Sequence, residues 1–240
     1  MSKHTTYEEC VFRGAIVPAD MGAESAVGWR KKIVGSGELL NTIDGIVIAT
    51  TDADEVQVVS LNQGDVLSYD INDLIRVSFL VKLSGDPAAI EDSQISFGLA
   101  SGQNDDVDAI AAAALFRLKG SLGLLVESAD GGAQNNDEIP TGLVVRPGEW
   151  MRCEIDFATG HTTVSPPGES RGSTSNVHFF AGHTGNTGTG DSMRRVANNQ
   201  RFDISAYVGG LQLFAQVQKA ASTDVVGLSI RKVCVVTQAN

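Results

Sequence analysis

Two runs near the end of the chain, LQLFAQVQK at residues 211–219 and VVGLSIRKVCVV at residues 225–236, decide its fold class. In both runs apolar residues recur mostly at every second position. A β-strand places successive side chains on opposite faces, so this period predicts strands with one buried face and one solvated face. The short polar turn between the runs predicts that the two strands face each other.

The same alternation recurs in the middle of the chain. Between Leu74 and Leu83 five apolar residues share one parity and are predicted to point into the core: Ile75, Val77, Phe79, Val81 and Leu83. Residues 111–118 are ambiguous, because four consecutive alanines favour helix whereas the following Leu115–Gly120 favours strand.

Two connections are predicted from residue type. The β-branched runs Ile46–Thr51 and Val56–Leu61 flank a polar turn, which predicts a hairpin. Residues 181–199 are rich in Gly, Asn and Thr, and we expect a long surface loop there.

The length of the chain favours one large domain. A chain of 240 residues buries roughly 70% of the surface of its unfolded form and needs no metal or disulfide to hold a core. Pro18 and several glycines interrupt residues 1–37, which are predicted to form an extended, irregular N-terminal arm. Residues 38–240 are predicted to form the domain, an all-β, two-layer antiparallel sandwich.

The charge of the chain limits its partners. Its 29 acidic and 18 basic residues give a formal charge of −11, which disfavours binding to nucleic acid or to an anionic membrane surface. The polar N-terminal residues contain no apolar run of the kind found in secretory signals, so we expect folding to take place in a cytoplasm.

The three cysteines, Cys10, Cys153 and Cys234, lie far apart and form no C-x-x-C pair. This pattern predicts reduced thiols and neither a disulfide framework nor a zinc site. Cys153 shares the parity of Met151, Ile155 and Phe157, so we expect it in the core.

The segment Glu154-Ile155-Asp156-Phe157-Ala158 invites comparison with the E-x-D-x-E motif of one family of β-sandwich glycanases. In those enzymes the first carboxylate attacks the sugar and the last donates a proton. Ala158 occupies the position of the proton donor. Glu154 and Asp156 are therefore predicted to be the solvent-facing side of a strand.

Two acidic stretches, Asn104–Asp108 and Asp130–Glu138, carry oxygen ligands of the kind that Ca²⁺ accepts. Neither has the spacing of an EF-hand loop, and a solvated acidic turn is the favoured interpretation over a metal site. We therefore predict no catalytic, cofactor-binding or metal-binding residue, and no cofactor.

The four histidines, His4, His161, His178 and His183, are too scattered to predict a transition-metal site. We expect His178 to be structural, at a sandwich edge, and His161 and His183 to lie in exposed turns.

Four segments together resemble the strand order of concanavalin-like and laminin-G-like jelly-roll sandwiches: Ile95–Ala100, Gly148–Asp156, Leu211–Gln218 and Leu228–Val236. The resemblance covers residues 38–240 and implies a two-layer jelly roll. Lectins, glycanases and viral surface proteins share this geometry, so the fold alone does not choose among them.

Within that set the chain resembles structural proteins of tailed bacteriophages. This resemblance implies a non-enzymatic capsid decoration or cement protein, made in the host cytoplasm and displayed on the virion surface. The major capsid protein is its expected partner, and a homo-oligomer its expected state. The alternatives are a lectin-like carbohydrate-binding module, assisted by calcium or not, and a degenerate glycanase.

Overall fold

The computed structural model describes residues 4–11, 19–20, 28–64, 67–85, 90–132, 135–157, 173–185 and 193–239. These residues form β-strands and a 3-10 turn at Val107–Ala109. In chain order the strands are β1 (His4–Val11), β2 (Ala19–Asp20), β3 (Arg30–Val34), β4 (Glu38–Thr42), β5 (Gly45–Ala49), β6 (Glu55–Asn62), β7 (Tyr69–Asp70), β8 (Leu74–Gly85), β9 (Ser93–Ala100), β10 (Ala112–Lys119), β11 (Gly123–Asp130), β12 (Asn135–Val144), β13 (Trp150–Asp156), β14 (His178–Gly185), β15 (Arg194–Val196), β16 (Gly210–Ser222) and β17 (Val226–Ala239).

The strands form two sheets, which confirms the predicted two-layer all-β sandwich. Sheet A has the order β15-β14-β13-β8-β17-β5-β4, and β1 pairs with β17 beyond the end of β5. Sheet B has the order β12-β11-β10-β9-β16-β6-β3-β2, and β7 pairs with one end of β16. Pairing is antiparallel apart from the parallel pair β2–β3. The described part of the chain contains no helix that is long and apolar enough to cross a membrane.

The core between the sheets is built from the inward parity of each strand. A row of phenylalanines crosses it, formed by Phe79, Phe97, Phe116, Phe179 and Phe202, with successive ring centroids 4.9–5.7 Å apart. Such aromatic pairs contribute about 0.5–1.5 kcal/mol each beyond the area they bury. Because Phe79 and Phe179 belong to sheet A and Phe97 and Phe116 to sheet B, the row fastens the two layers together.

The alternation predicted for β8 holds for four of its five residues. Val77, Phe79, Val81 and Leu83 lie in the main core, whereas Ile75 packs with Val236 in a separate cluster. The prediction for Ile75 was wrong because the register between β8 and β17 shifts after Val236. Residues 112–119 form a strand, so packing overrides the helical preference of the alanines.

The predicted hairpin of residues 46–51 with residues 56–61 was wrong, because β5 and β6 lie in opposite sheets. Strands β16 and β17 also lie in opposite sheets and are not hydrogen-bonded to each other. Each connection crosses from one layer to the other, and the two crossovers lie side by side: Thr50 donates from its backbone nitrogen to the Val226 carbonyl at 2.9 Å. A two-layer sandwich accommodates such crossovers, which period-two alternation does not distinguish from hairpins.

Two loop predictions also require correction. Strand β14 extends to residue 185, so the expected loop over residues 181–199 is interrupted by strand at both ends. The small residues Ala181 and Gly182 continue the ladder opposite Cys153 and Arg152. Residues 1–37, the predicted arm, contribute β1 to sheet A and both β2 and β3 to sheet B.

Candidate functional site

The outward face of sheet B is partly covered by residues 101–111, here called the covering segment. Val107 and Ile110 of this segment pack against Leu115 of β10 and Phe214 of β16 in a small apolar cluster. Asp106 caps the 3-10 turn by accepting a hydrogen bond from the backbone nitrogen of Asp108. The packing and the cap together place Asp108 over β10 and β11.

Polar contacts also hold the middle of the covering segment. Lys32 of β3 donates to the Asp105 carboxylate at 2.8 Å, and Gln216 of β16 donates to the Asp105 backbone carbonyl at 3.0 Å. Burial raises the pKa of Asp105, but hydrogen bonds from Lys32 and Gln103 outweigh burial and lower it below its ordinary value. Asp105, a calcium candidate in the sequence, is therefore a structural anchor.

Three carboxylates converge beside the covering segment and form what we call the acidic cluster: Asp108, Glu127 of β11 and Asp137 of β12. One oxygen from each lies within 4.8 Å of the others. The two acidic stretches of the sequence thus meet, one residue from each, around a third acid. Glu127 was missed because it lies within a strand-like run, where its outward parity was the only available signal.

Other acidic residues of the two stretches have structural roles outside the acidic cluster. Asp130 accepts a hydrogen bond from the Gly132 backbone nitrogen at 2.8 Å and so closes a turn. Glu138 accepts a hydrogen bond from Lys119, which also lies 3.6 Å from Asp108. The spacing of acidic residues in the sequence did not indicate that Asp108 and Asp137 belong to the acidic cluster and that Asp130 and Glu138 do not.

Arg117 of β10 lies at the centre of the acidic cluster. Its Nη1 donates to Asp108 Oδ1 at 2.5 Å and to Glu127, and lies 3.8 Å from Asp137 Oδ1. The Arg117 side chain is 0% exposed, so its charge is compensated almost wholly by these partners.

Burial and pairing oppose each other in the pKa values of this cluster. Burial raises the pKa of Asp108, yet the hydrogen bond and charge of Arg117, aided by Lys119, bring it below its ordinary value. Burial lowers the pKa of Arg117, but Glu127 and Asp108 raise it by more. Glu127 is the most buried of the three acids, and burial raises its pKa despite Arg117. Asp108 is therefore ionised at neutral pH beside a permanently charged guanidinium.

A pocket of about 300 Å³ opens beside the acidic cluster. Its lining includes Asp108, Glu127, Asp137, Asn136, Gly131 and Gly132. The Asp137 side chain is 67% exposed, whereas Glu127 forms the buried floor. Carboxylate oxygens, an amide and glycine backbone therefore face one cavity, a set of groups that accepts and donates hydrogen bonds to a polar ligand.

The acidic cluster does not suit a resident calcium ion. Ca²⁺ takes six to eight oxygen ligands, and the three carboxylates are of the right chemical type. The guanidinium of Arg117, however, already bonds two of them from within the cluster and carries the positive charge that an ion would supply. The expectation of no metal ligand stays a prediction.

The E-x-D pair of the sequence lies elsewhere, on the outward face of sheet A. Glu154 and Asp156 have the predicted parity, but they are only 1% and 2% exposed, so the prediction of a solvent-facing pair was wrong. Glu154 Oε2 lies 3.5 Å from Arg76 Nη1 and 3.9 Å from Arg152 Nη2. Burial, opposed by these two arginines, raises the pKa of Glu154 to about 7. Ala158 lies outside the described residues.

The histidines and cysteines largely follow their predictions. His178 is buried in β14, next to the edge strand of sheet A, and is structural as expected. His183 was expected in an exposed turn but lies in β14, where its Nε2 is 3.0 Å from the Val144 carbonyl. Cys153 is in the core, where burial raises the pKa of its thiol well above the ordinary value, and Cys153 and Cys234 are free. His161 lies outside the described residues.

The tryptophans do not form an open stacking platform. Trp29 lies in the core, and Trp150 is buried with Lys82 and Arg231 over its ring, at 4.9 and 5.5 Å from the ring centroid. Cations already occupy the face of Trp150.

No family model matches the sequence, and no curated protein matches it. Solved structures do match the fold. The metal-free form of the VIP36 exoplasmic/lumenal domain is similar with a TM-score of 0.58 at 9% identity, over 97% of this chain and 92% of that one. The carbohydrate recognition domain of Emp47p gives a TM-score of 0.52 at 12% identity, over 92% of both chains.

A protein of unknown function from Shewanella oneidensis MR-1, SO2946, is also similar, with a TM-score of 0.55 at 10% identity over 100% of this chain and 88% of that one. At such low identity the likeness concerns the fold alone. The chain has the concanavalin-like β-sandwich fold.

Proposed function

We propose that the protein is a lectin-like carbohydrate-binding domain, and that it binds sugar in the pocket beside the acidic cluster. The observation that carries the proposal is the pocket itself, where Asp108, Asp137 and Asn136 line one cavity on the outward side of sheet B. The fold adds support. The similar Emp47p structure is a carbohydrate recognition domain, and the similar VIP36 domain has been solved with mannose-containing ligands bound.

The chemistry of the pocket suits sugar hydroxyl groups. A hydroxyl donates to a carboxylate and accepts from a backbone nitrogen, and hydrogen bonds to charged groups are worth about 1.5–3 kcal/mol each. Asp108 and Asp137 line the pocket and are the acceptors, whereas the Gly132 backbone nitrogen already donates to Asp130. Asn136 is held by its own donation to the Arg201 carbonyl at 2.9 Å, so its amide oxygen is fixed in place.

The same groups favour binding over turnover. A retaining glycosidase needs a nucleophile and a protonated acid on opposite sides of the scissile bond, with the two carboxyl groups about 5 Å apart. Here Asp108 and Glu127 both accept hydrogen bonds from Nη1 of Arg117, so the guanidinium occupies the space between the two carboxylates. We therefore propose a domain that binds carbohydrate and does not hydrolyse it.

Calcium is not required for this proposal. VIP36 has been solved with Ca²⁺ bound and also metal-free, but in this chain Arg117 supplies positive charge among the carboxylates. Capsid decoration, with the major capsid protein as partner and a virion surface as location, stays a prediction that the comparisons do not support.

Glycan-array screening of the full chain, followed by calorimetric titration of the best ligand, tests the proposal. Asp137→Asn removes one charge from the exposed wall of the pocket, and we expect affinity to fall by at least about tenfold. Asp54→Asn makes the same charge change in an exposed crossover, on the far side of sheet B from β12, and is the matched control.

Two outcomes would contradict the proposal. One is the absence of any glycan signal from folded protein. The other is a bound glycan whose affinity is equal in the wild type, Asp137→Asn and Asp54→Asn. Release of reducing ends from a bound polysaccharide would contradict the non-enzymatic part.

A further inference from the structure

We propose that Arg117 takes the place of a bound divalent cation in the acidic cluster, so that the pocket is assembled without any metal. In this role Arg117 is a positioning residue, since it acts by holding the carboxylates that line the pocket. The inference concerns the same pocket as the proposed function but does not depend on it, because its test uses no sugar.

The first argument is the way in which Arg117 joins separate elements. Asp108 belongs to the covering segment, Glu127 to β11 and Asp137 to β12, and each has an oxygen within 3.8 Å of the same Nη1 nitrogen. A metal ion at the centre of three carboxylates ties segments together in the same way. Arg117 therefore links the three elements as a structural ion would.

The second argument is electrostatic. Three carboxylates with oxygens within 4.8 Å of one another repel strongly unless a cation lies among them. The Arg117 charge cannot be removed by a change of pH, because the pKa of its guanidinium is raised further by Glu127 and Asp108. The cluster thus has a permanent internal counter-charge.

The third argument is spatial. The Arg117 side chain is fully buried, and its Nη1 nitrogen donates to both Asp108 and Glu127. A divalent ion entering the cluster would lie against the guanidinium or would have to expel it. Expulsion would leave a buried charge without partners, which is strongly unfavourable. Wild-type protein is therefore expected to exclude divalent ions from this place.

The chain uses a side-chain cation in a second place. Lys219 is buried and its ammonium group donates to the backbone carbonyls of Thr51, Ala53, Ser222 and Asp224. Backbone carbonyls are also common ligands of metal ions. Lys219 therefore places a side-chain charge among carbonyl oxygens that could otherwise surround an ion.

Thermal unfolding with millimolar Ca²⁺, and separately with EDTA, tests the inference. The wild type should show the same melting temperature in both. Arg117→Met keeps much of the side-chain volume but removes the charge, and we expect it to melt lower in EDTA and to regain about 5 °C or more in saturating Ca²⁺. Calorimetry should show one Ca²⁺ bound by Arg117→Met and none bound at this place by the wild type.

Two controls separate this effect from general stabilisation. The double variant Arg117→Met/Asp137→Asn lacks one of the three carboxylates and should lose most of the Ca²⁺ response. Gly45→Ala in sheet A would place a Cβ atom 2.2 Å from the Ile230 carbonyl oxygen, so it should melt lower than the wild type, but equally in Ca²⁺ and EDTA. A simple structural role for Arg117 predicts destabilisation without rescue by a metal ion.

The inference is overturned if wild-type protein is stabilised by Ca²⁺ and destabilised by EDTA, or if Arg117→Met does not respond to Ca²⁺. If Arg117→Met does not fold in EDTA, the readout becomes refolding in Ca²⁺: recovery of the wild-type near-ultraviolet circular dichroism spectrum supports the inference, and failure to recover it overturns the inference. Neither result depends on whether a glycan binds.

Discussion

The ammonium nitrogen of Lys219 lies 2.6 Å from the backbone carbonyl oxygen of Thr51, although the two residues are 168 positions apart. Thr51 belongs to the crossover from β5 to β6, and Lys219 lies near the end of β16, just before the crossover to β17. The same nitrogen donates to the backbone carbonyl oxygen of Asp224 at 3.1 Å in the second crossover. Lys219 therefore fastens the two places where the chain passes between the layers.

Lys219→Met should destabilise the protein by about 3 kcal/mol, because it removes the buried ammonium group that donates to four partly buried carbonyls. Urea unfolding measures this as a lower midpoint with an unchanged slope. Lys32→Met is the comparison, since Lys32 makes a partly exposed ion pair worth less than about 1 kcal/mol. Equal losses of stability in the two variants would show that the hydrogen bonds from Lys219 to the four carbonyls contribute no more than a surface ion pair.

The pKa of Glu154, about 7 against an ordinary 4.5, predicts how stability depends on pH. Below pH 4.5 the carboxyl is protonated in both folded and unfolded chains. As pH rises towards 7 the unfolded chain ionises first, so the folded state is progressively disfavoured, by up to about 3 kcal/mol once both are ionised. Glu154 thus makes the protein less stable at pH 8 than at pH 4.5.

Glu154→Gln removes this titration while keeping the shape of the side chain. We expect little change in stability at pH 4.5 and a gain at pH 8, measured by thermal or urea unfolding across the range. Glu38→Gln, in the exposed position at the start of β4, is the matched control and should show no such trend. A constant difference between wild type and Glu154→Gln at all pH values would contradict the assignment.

Gly98 lies on β9 where the backbone of β10 comes very close. Its φ is +152°, and a Cβ atom there would stand 2.3 Å from the Ala114 carbonyl oxygen. Gly98→Ala must therefore push two central strands of sheet B apart, and we expect a loss of about 3 kcal/mol or more, seen in urea unfolding. Gly102→Ala in the covering segment meets nothing within 4 Å and should be nearly neutral. If both variants unfold alike, the close approach is not the cause.

The sequence predicted the layers better than their connections. Alternation at Leu211–Lys219 identified β16 and its buried face, since a strand's period is a local property. It did not show that Thr50 pairs with Val226, because that contact depends on the path of both crossovers. For Glu154 and Asp156 the alternation correctly predicted that both side chains lie on the outward face of the sheet. It did not predict that both are buried there, because periodicity carries no information on which residues cover a face.

The acidic cluster shows the same limit. Asp108 and Asp137 were noticed in separate stretches, but only the pairing of β10 with β11 and of β11 with β12 brings them together. Arg117 was even harder to find. A lone arginine in an apolar strand is usually interpreted as a solvent-facing residue, and nothing in its neighbours indicates that three acids surround it.

Asp106 and Asp108 lie two residues apart on the covering segment, yet they should respond differently to the same change. Asp106→Asn keeps an oxygen that accepts from the Asp108 backbone nitrogen, and asparagine is as good a cap as aspartate, so stability should stay within about 0.5 kcal/mol. Asp108→Asn keeps the size of the side chain but removes one of the charges that compensate Arg117. We expect a loss of about 1 kcal/mol, reduced by the partial exposure of Asp108.

Hydrogen exchange makes the comparison local. The Ile110 amide is bonded to the Val107 carbonyl within the covering segment, and its protection reports whether that segment stays on sheet B. Asp108→Asn should lower this protection while Asp106→Asn leaves it unchanged. Equal exchange rates in the two variants would mean that the apolar contacts of Val107 and Ile110 hold the segment, and that the link to Arg117 does not.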